Sequence, residues 1–450
     1  MRWGGAPARG QRFSQVFASS PADHGAMRAL FITWAWNTHF YPMVPLGHAL
    51  RAAGHEVMVA SQPSFTSTIT DAGLAALPVG PDIDMQGRVT AAYRNWRPTA
   101  PAHGAKGTSK APRGRRTYQL AADCAEAMAD EAMDFAHSWQ PDVVVYEPMA
   151  LLGPLMAAHL GVPAMRLLWG IDFSRAITLL GDELFGGLAE RLGVDEFAPL
   201  GDVTLDSCPP RLQVPADDVT RQPLRYVPYN GPARLPAVLH RRPDRPRIAV
   251  TWGKTLLPIG LHDGTLGPRI VRALGRHDVD VVVATSADQR QHYTALPDNV
   301  SHVGPVPLDL LLPGCAAIIH HGGGGTTMTA MSHGVPQLLL PWIPDGVVTA
   351  RQLQATGSGR HLPPQDLDDT ALTDALEAFL ADLPTYQDHA GRLGRENRAL
   401  PTPSEVATLL AARLSGRTGP WAQVRSQPCT SRSPARCRNM TMDRISGGTR

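Results

Sequence analysis

The segment Ala316–Val335 restricts the possible folds of this chain more than any other part of it. It reads AAIIHHGGGGTTMTAMSHGV, an apolar run followed by two histidines, four glycines, two threonines and a helix-like stretch. This order predicts a strand, a tight glycine turn and a helix N-terminus, a geometry that directs backbone N–H groups at a phosphate. The helix is expected to end at Gly334, just before Pro336. The ligand that this arrangement suits best is a diphosphate.

Three other interpretations of the glycine run are weaker. A merely flexible turn would not need the hydrogen-bonding side chains beside it, which are His320 or His321 before the glycines and Thr326 and Thr327 after them. A P-loop requires a lysine after its last glycine, and none follows here. A dinucleotide fingerprint normally lies on the first strand of its domain, whereas this turn lies late in the chain. Asp345 falls near the distance expected for the fingerprint's acidic residue, so that interpretation stays open.

Chain length predicts two domains, because 450 residues exceed what one compact core normally supports. No uninterrupted apolar run approaches the roughly 20 residues of a membrane-spanning helix, so no membrane span is expected. The formal net charge of +2 comes from the ends of the chain, since residues 415–450 carry seven arginines against one aspartate. The body between the ends is acidic, which argues against a nucleic-acid partner.

The cysteines and the chain ends indicate the compartment. Five cysteines are scattered without CxxC spacing, which predicts a reducing cytoplasm and no zinc site. Residues 1–26 lack the apolar core of a signal peptide and are expected to be a disordered extension. Met27, which opens the first apolar strand, is a candidate for the true start of the protein. The Arg/Ser/Pro-rich residues 415–450 are expected to form a disordered basic tail.

Strands and amphipathic helices alternate through the body of the chain, which predicts an α/β protein with parallel sheets. A proline-rich segment at 231–246 is interpreted as a linker between two Rossmann-like domains, at 27–230 and 247–414. Because such sheets bind ligands at the carboxyl ends of their strands, the two domains are expected to face each other across a cleft. The weakly patterned residues 81–116 are expected to form a mobile loop or loose helices that close over one side of it.

Several ordered motifs together resemble family 1 glycosyltransferases of the GT-B fold. They are THFYPMVPLGHALRAAGHEV at 38–57, RYVPYNGPARLP at 225–236, IHHGGGGTT at 319–327 and GVPQLLLPWIPD at 334–345. Within that family the chain is most similar to actinobacterial enzymes that attach deoxysugars to polyketide antibiotics. The resemblance covers about residues 27–414 and implies an inverting transfer from a TDP-sugar to a small-molecule aglycone.

The resemblance also implies the catalytic residues. His39, which precedes Phe40-Tyr41-Pro42, matches the family's general base, and imidazole suits proton abstraction near neutral pH. Glu147 stands where relatives usually have an aspartate that orients the base. No metal or other cofactor is expected, because helix N–H groups and an imidazole can stabilise the leaving diphosphate. The DxD spacings at 82–84 and 278–280 are interpreted as surface carboxylates.

Binding residues for both substrates follow from the same comparison. The predicted donor-binding residues are Gly253, Lys254, Thr255, Val306, His321, Gly323, Gly324, Gly325, Thr326 and Asp345. The glutamine that commonly follows the aspartate in relatives is Gly346 here, which favours a deoxygenated sugar over glucose. The predicted acceptor-binding residues are the aromatic side chains of Trp34, Trp36, Phe40, Tyr41 and Trp169, which suit a flat apolar aglycone.

Other functions remain open on the sequence alone. A nucleotide-sugar epimerase or hydrolase has the same architecture, a catalytically silent helper protein would bind the same nucleotide, and an NAD-dependent oxidoreductase is a more remote alternative. An activator protein and a homodimer are possible partners. The sequence does not define the sugar, the aglycone, the linkage or the regiochemistry.

Overall fold

Two parallel β-sheets organise the chain in the computed structural model, which describes residues 26–93, 115–252, 265–363 and 367–416. The first sheet contains β1 (Arg28–Ile32), β2 (Glu56–Ser61), β3 (Ala75–Pro78), β4 (Val143–Tyr146), β5 (Ala164–Leu167), β6 (Val203–Asp206) and β7 (Arg221–Pro223). The second contains β8 (Arg247–Thr251), β9 (Asp280–Ala284), β10 (Val300–Gly304), β11 (Ala317–His320), β12 (Gln337–Leu339) and β13 (Gly359–His361).

Helices cover both faces of each sheet. They are α1 (Asn37–Phe40), α2 (Val44–Ala52), α3 (Thr66–Asp71), α4 (Met85–Tyr93), α5 (Arg115–Trp139), α6 (Leu152–Leu160), α7 (Gly181–Arg191), α8 (Leu266–Leu274), α9 (Leu308–Leu311), α10 (Gly324–His333), α11 (Pro344–Ala355), α12 (Asp369–Ala381), α13 (Leu383–Ala399) and α14 (Pro403–Leu414). Within the described ranges, none of these is both long and apolar enough to cross a membrane.

The strand order places a ligand crevice in each sheet. The orders are β3-β2-β1-β4-β5-β6-β7 and β10-β9-β8-β11-β12-β13, and all paired strands run parallel. The order reverses between β1 and β4 in the first sheet and between β8 and β11 in the second. Loops that leave the carboxyl ends of strands at such a reversal diverge to opposite faces and leave a crevice between them. The predicted fold, two Rossmann-like parallel-sheet domains, is confirmed by this topology.

The central strands read as apolar runs because both of their faces are buried. Val143–Tyr146 has no exposed residue, and neither does Arg247–Thr251. Helices α5 and α6 pack on one face of the first sheet, whereas α2 and α3 pack on the other. Continuous apolar strands of this kind are typical of parallel sheets that are covered on both sides. The two layers hold the strand ends rigidly and thereby fix the loops that form the site.

The chain crosses between the two domains more than once. The side chain of Asn397, which is buried, accepts a hydrogen bond from Tyr226 N at 2.9 Å and donates one to Tyr226 O at 3.0 Å. After these two hydrogen bonds, the chain continues into α14, which packs against α2. Its residues Val406 and Leu410 lie in the core of the first sheet. By chain order, residues up to 414 are predicted to belong to the second domain, whereas the last helix packs on the first.

Candidate active site

Three segments that follow adjacent strands of the first sheet converge at one point. Helix α1, which follows β1, carries His39, the loop after β4 carries Glu147, and the loop after β5 carries Trp169. These strands lie side by side in the order β1-β4-β5, so their carboxyl ends meet at one edge of the sheet. Three residues that are far apart in sequence are therefore brought together by topology alone.

His39 and Glu147 form a pair at this edge. His39 Nδ1 lies 3.1 Å from Glu147 Oε2, with the imidazole 16% exposed and the carboxylate fully buried. The ring nitrogen is close to the oxygen without being aligned for a hydrogen bond, as is common for catalytic pairs that tighten only with substrate bound. Glu147 Oε2 also accepts a hydrogen bond from Met149 N at 2.9 Å, which fixes the orientation of the carboxylate. The arrangement leaves the opposite ring nitrogen, Nε2, as the atom available to take a proton.

Two of the predicted acceptor-binding residues enclose the imidazole of His39. The ring of Trp169 stacks on it at a centroid distance of 4.2 Å, and the ring of Trp34 stacks at 5.2 Å. Trp34 and Trp169 are nearly buried, at 3% and 9% exposure, and Trp36 is partly buried beside them. Their first structural role is therefore to hold the imidazole between two flat apolar surfaces.

Phe40 and Tyr41, which complete the five predicted acceptor-binding residues, are placed elsewhere. Phe40 is fully buried and packs edge-on against Phe65 in the core beneath the first sheet, so its assignment to an acceptor surface is corrected. Tyr41 packs edge-on against Tyr229 and accepts a hydrogen bond from Asn37 Nδ2 at 3.0 Å. Both residues follow His39 directly, and the helical turn that begins at α1 directs their side chains away from the imidazole.

The glycine turn of the second sheet forms as expected. β11 ends at His320, Gly322 has a φ of +84°, and Gly323 is the N-cap of α10, which ends at Gly334 with a φ of +69°. A Cβ atom at Gly323 would lie 2.6 Å from His321 Nε2, so glycine is required for the imidazole to lie against the turn. The first backbone N–H groups of α10 and the His321 ring therefore share one region, as an anion-binding site requires.

The two neighbouring histidines differ in environment. His320 is fully buried below the turn, and burial lowers its pKa to about 4 while a hydrogen bond to Gln337 works in the opposite direction. A histidine with this pKa is neutral at physiological pH. His321 is 6% exposed, and its ring lies against the glycine turn beside Gly323. Of the two imidazole donors that the sequence allowed, the geometry favours His321.

The two sheets' sites face each other across a short gap. A Cβ atom at Gly324, the first residue of α10, would lie 3.6 Å from Trp169 Cδ1. Gly170 follows Trp169 in the chain, and a Cβ atom at Gly170 would lie 3.2 Å from the side chain of Met328 in α10. Trp169 thus contacts the imidazole of His39 on one side and the glycine turn before α10 on the other. This residue connects the His39–Glu147 pair to the N-terminus of α10.

Asp345 lies at the same cleft. Part of the residue is exposed, but its Oδ1 atom is buried without a hydrogen-bond partner in the described part of the chain. Burial raises the pKa of this carboxyl, and hydrogen bonds from the backbone N–H groups of Asp345 and Gly346 offset part of the rise, with a smaller electrostatic contribution from nearby His39. Burial raises the pKa of Tyr93 as well, and the charge of Asp345 adds to that rise. The end of α4 therefore reaches the cleft, within the range 81–116 that the sequence analysis expected to be loosely structured.

The remaining predicted donor-binding residues have mixed placements. Thr326 is half-buried in the first turn of α10, beside Gly325. Val306 is 9% exposed, and its side chain packs in the core of the second domain just beyond β10. Gly253, Lys254 and Thr255 lie outside the described residues. The structure therefore places the predicted donor-binding residues near α10, β10 and β12, whereas those predicted directly after β8 lie outside the described residues.

The acidic DxD residues have structural roles. Asp82 accepts a hydrogen bond from Ser64 N at 2.7 Å, and Asp84 accepts one from Gly87 N at 2.8 Å. Asp278 pairs with Arg245 at 3.5 Å, and Asp280 pairs with Arg247 at 2.6 Å. In the part of the chain that the structure describes, no group of three or more potential ligands is arranged to hold a metal ion.

Sequence reasoning missed a buried ionic network that shapes the loop of Trp169. Arg166 is fully buried in β5 and pairs with Asp172 at 2.7 Å. Asp172 N in turn donates to Gln213 Oε1 at 2.8 Å, and Gln213 Nε2 donates to Gly170 O at 3.4 Å. The available signal was an arginine inside an apolar strand, because a fully buried guanidinium requires a carboxylate partner.

Comparisons with known proteins identify the family of this chain. Residues 48–253 match the family model described as erythromycin biosynthesis protein CIII-like, N-terminal domain, and residues 268–413 match the model of its C-terminal domain. The chain belongs to this family. Its sequence relatives are TDP-deoxysugar glycosyltransferases of antibiotic biosynthesis, and its structural neighbours are GT-B glycosyltransferases, so the predicted family is confirmed.

Individual relatives of this EryCIII-like chain extend over almost its whole length. It is 36% identical to the 10-deoxymethynolide desosaminyltransferase of Streptomyces venezuelae, over 89% of this chain and 100% of the relative. It is also 36% identical to the aklavinone 7-beta-L-rhodosaminyltransferase of Streptomyces galilaeus, over 85% and 95% of the two chains. The solved structure of the glycosyltransferase VinC in complex with dTDP has a TM-score of 0.72 at 32% identity, covering 87% of this chain and 100% of VinC. The GT-B fold and glycosyltransferase activity are thereby supported.

Proposed function

We propose that this chain is an inverting glycosyltransferase that moves a deoxysugar from a TDP-sugar to a polyketide-like aglycone, with His39 as the general base. One observation carries the proposal. His39 lies 3.1 Å from buried Glu147 and stacks on Trp169, whose ring also reaches the N-terminus of α10. A proton acceptor and an anion-binding site thus lie on the two sides of a single aromatic ring. Glycosyl transfer from a nucleoside diphosphate sugar needs both functions in one cleft.

The proposed reaction uses these residues in a single displacement. His39 Nε2 takes the proton of an acceptor hydroxyl as its oxygen bonds to the anomeric carbon, while the bond from that carbon to the diphosphate breaks. Because the nucleophile enters opposite the leaving group, the configuration at the anomeric carbon inverts. Glu147 stabilises the imidazolium that forms. The N–H groups of α10 and the His321 imidazole donate hydrogen bonds that stabilise the negative charge developing on the leaving TDP. The proposed mechanism therefore assigns no step to a metal.

The proposal of a deoxysugar rests on the first turn of α11, which follows β12. Asp345 presents a buried Oδ1 atom without a partner among the described residues, which a sugar hydroxyl or amine would satisfy. The next residue is Gly346, and a Cβ atom there would lie 3.4 Å from Gly322 O of the phosphate turn. A glycine supplies no side-chain donor at this point, so the site has fewer partners for a fully hydroxylated hexose. The curated relatives named above transfer desosamine and rhodosamine, according to their names.

The experiment that tests donor class is thermal stabilisation by TDP, UDP, GDP and NAD, measured side by side. A nucleotide present at a hundred times its Kd should stabilise the folded chain by about 2.7 kcal/mol. TDP should give the largest shift in melting temperature. A preference for UDP would contradict the TDP assignment and favour the epimerase or hexosyltransferase interpretations. A response to NAD alone would overturn the assignment of the glycine turn.

The role of His39 is tested by measuring both sugar transfer and thermal stabilisation by TDP in the His39→Ala variant. Transfer should fall by about 10²–10⁴-fold, the usual contribution of a general base, while stabilisation by TDP should be nearly unchanged. His292→Ala is the matched control, because His292 is an exposed histidine of the second domain and is not predicted to contact either substrate. Turnover of His39→Ala equal to that of the control would remove His39 as the base. Absence of turnover in the unmodified chain with TDP bound would favour a non-catalytic helper protein only if turnover stays absent when an activator protein is added.

Partners and compartment belong to the same proposal. An activator protein, if required, should raise turnover of the unmodified chain when it is added, and a homodimer should be seen by sedimentation at micromolar concentration. A cytoplasmic location fits the scattered cysteines, of which Cys124 and Cys208 are buried thiols.

A further inference from the structure

His320 makes two directed hydrogen bonds below the phosphate turn. Its Nδ1 atom accepts the backbone N–H of Gly322 at 3.1 Å, and its Nε2 atom lies 3.0 Å from Gln337 Oε1. Because Nδ1 accepts a hydrogen bond, the ring proton must be on Nε2, where it is donated to the amide oxygen. The imidazole is fully buried, so water does not compete for either bond. His320 is therefore held in one tautomer and one orientation.

Gln337 continues the connection into the helix. Its Nε2 atom donates to Thr327 O at 3.1 Å, and its side chain is 1% exposed. The amide orientation is decided by these two partners, since the oxygen faces the ring N–H of His320 and the nitrogen faces a carbonyl. A continuous path of three hydrogen bonds thus runs from the N–H of Gly322 through two buried side chains to the first turn of α10.

The path encloses the part of the backbone that would bind phosphate. Gly322 has a φ of +84°, and Gly323 is the N-cap of α10. The carbonyl of Gly323 accepts hydrogen bonds from Thr327 N at 2.9 Å and from Thr327 Oγ1 at 3.1 Å. Gly322 and Thr327 are thus fixed from below by His320 and Gln337. Between them lie the N–H groups of residues 323–326, which are left to face the cleft.

We propose that His320 is a positioning residue that holds the phosphate turn in its binding geometry before the donor arrives, while His321 faces the donor. This inference rests on the proposed function, because it assumes that the turn binds a nucleoside diphosphate. A glycine-rich turn has many accessible conformations, and fixing it in advance removes an entropic cost from binding. His320 does this without contacting the ligand, through one backbone N–H and one amide.

Two substitutions separate the two hydrogen bonds. In His320→Asn the side-chain oxygen takes the place of Nδ1 and can still accept the N–H of Gly322, but the contact with Gln337 is lost. In His320→Gln the longer amide takes the place of Nε2 and can still donate to Gln337, but the contact with Gly322 is lost. Both variants are neutral, polar and smaller than histidine, and His320→Asn removes more side-chain volume than His320→Gln. A loss of packing alone would therefore weaken His320→Asn more, which is the opposite of the expected order.

Calorimetric titration with TDP measures the result, because it separates the stoichiometry from Kd. His320→Gln should raise Kd about tenfold at an unchanged stoichiometry, whereas His320→Asn should stay within about threefold of the unmodified chain. A purely structural lesion would lower the fraction of binding-competent protein and leave its Kd unchanged. An unchanged Kd in His320→Gln, or equal losses in both variants, would overturn the inference.

Hydrogen exchange of the unliganded, unmodified chain gives a second readout that needs no variant to fold. The amide of Gly322 should exchange slowly before TDP is added, since it is already bonded. Rapid exchange that slows only with TDP would overturn the inference, because the turn would then be ordered by the ligand. Absence of any TDP binding by the unmodified chain, with a slowly exchanging Gly322, would instead contradict the proposed function.

Discussion

Removing the charge of Glu147 while keeping its shape tests how the proposed base is oriented. Glu147 Oε2 lies 3.1 Å from His39 Nδ1 and accepts the N–H of Met149 at 2.9 Å. In Glu147→Gln, the amide oxygen must take the place of Oε2, because an NH₂ group there would meet the N–H of Met149. The imidazole would still face an oxygen, so its tautomer should be retained. Only the negative charge beside the forming imidazolium is lost.

The structure therefore predicts a graded loss of activity. A hydrogen bond to a charged partner contributes about 1.5–3 kcal/mol, against about 0.5–1.5 kcal/mol for a neutral one. The midpoints of these ranges differ by about 1.25 kcal/mol, which corresponds to roughly an eightfold lower kcat for Glu147→Gln. Glu147→Leu removes the acceptor altogether and leaves the imidazole without an orienting group. Its kcat should fall further, towards the roughly 10²–10⁴-fold that a general base contributes.

The assay is steady-state release of TDP from the donor in the presence of acceptor, with kcat and KM measured separately. Glu190→Gln is the matched control, since it removes an exposed carboxylate from α7 and should leave kcat unchanged. KM for the donor should change little in both Glu147 variants, because the carboxylate lies on the acceptor side of Trp169. The reasoning is refuted if Glu147→Gln turns over within twofold of the unmodified chain, or if Glu147→Leu is no slower than Glu147→Gln.

Two further predictions concern the phosphate turn. Gly323→Ala would put a Cβ atom 2.6 Å from His321 Nε2 and displace the ring, so Kd for TDP should rise about tenfold. Gly187→Ala is the control, because no atom lies within 4 Å of its new Cβ, and it should bind TDP normally. Equal affinities of the two variants would show that the position of the His321 ring does not affect binding. Because burial lowers the pKa of His320 from 6.5 to about 4, the unfolded chain takes up a proton in this range that the folded chain does not. Stability from this group should be constant above pH 6.5 and decrease by up to about 3 kcal/mol as the pH falls to 4. Urea unfolding should show a weaker pH dependence in His320→Asn, and an identical dependence would contradict the assignment.

Local patterns determined much of this protein. The strand, glycine turn and helix at 316–335 follow from residues that are adjacent in sequence, since φ preferences, helix ends and apolar runs act over a few positions. The alternation of strands and helices was enough to predict two parallel sheets, because continuous apolar runs require burial on both faces. The motif around His39 indicated the family, and the family comparisons confirmed it.

Tertiary structure decided how those residues are used. Phe40 and Trp169 are both aromatic residues beside a strand end, yet one is buried in the core and the other bridges the two domains. His320 and His321 are adjacent in sequence, and only the packing of β11 against β12 places one of them next to Gln337 and below the turn. Burial, tautomer and partner depend on segments that are distant in sequence and adjacent in space. Residue type and spacing carry no information on which side of a sheet edge those segments will meet.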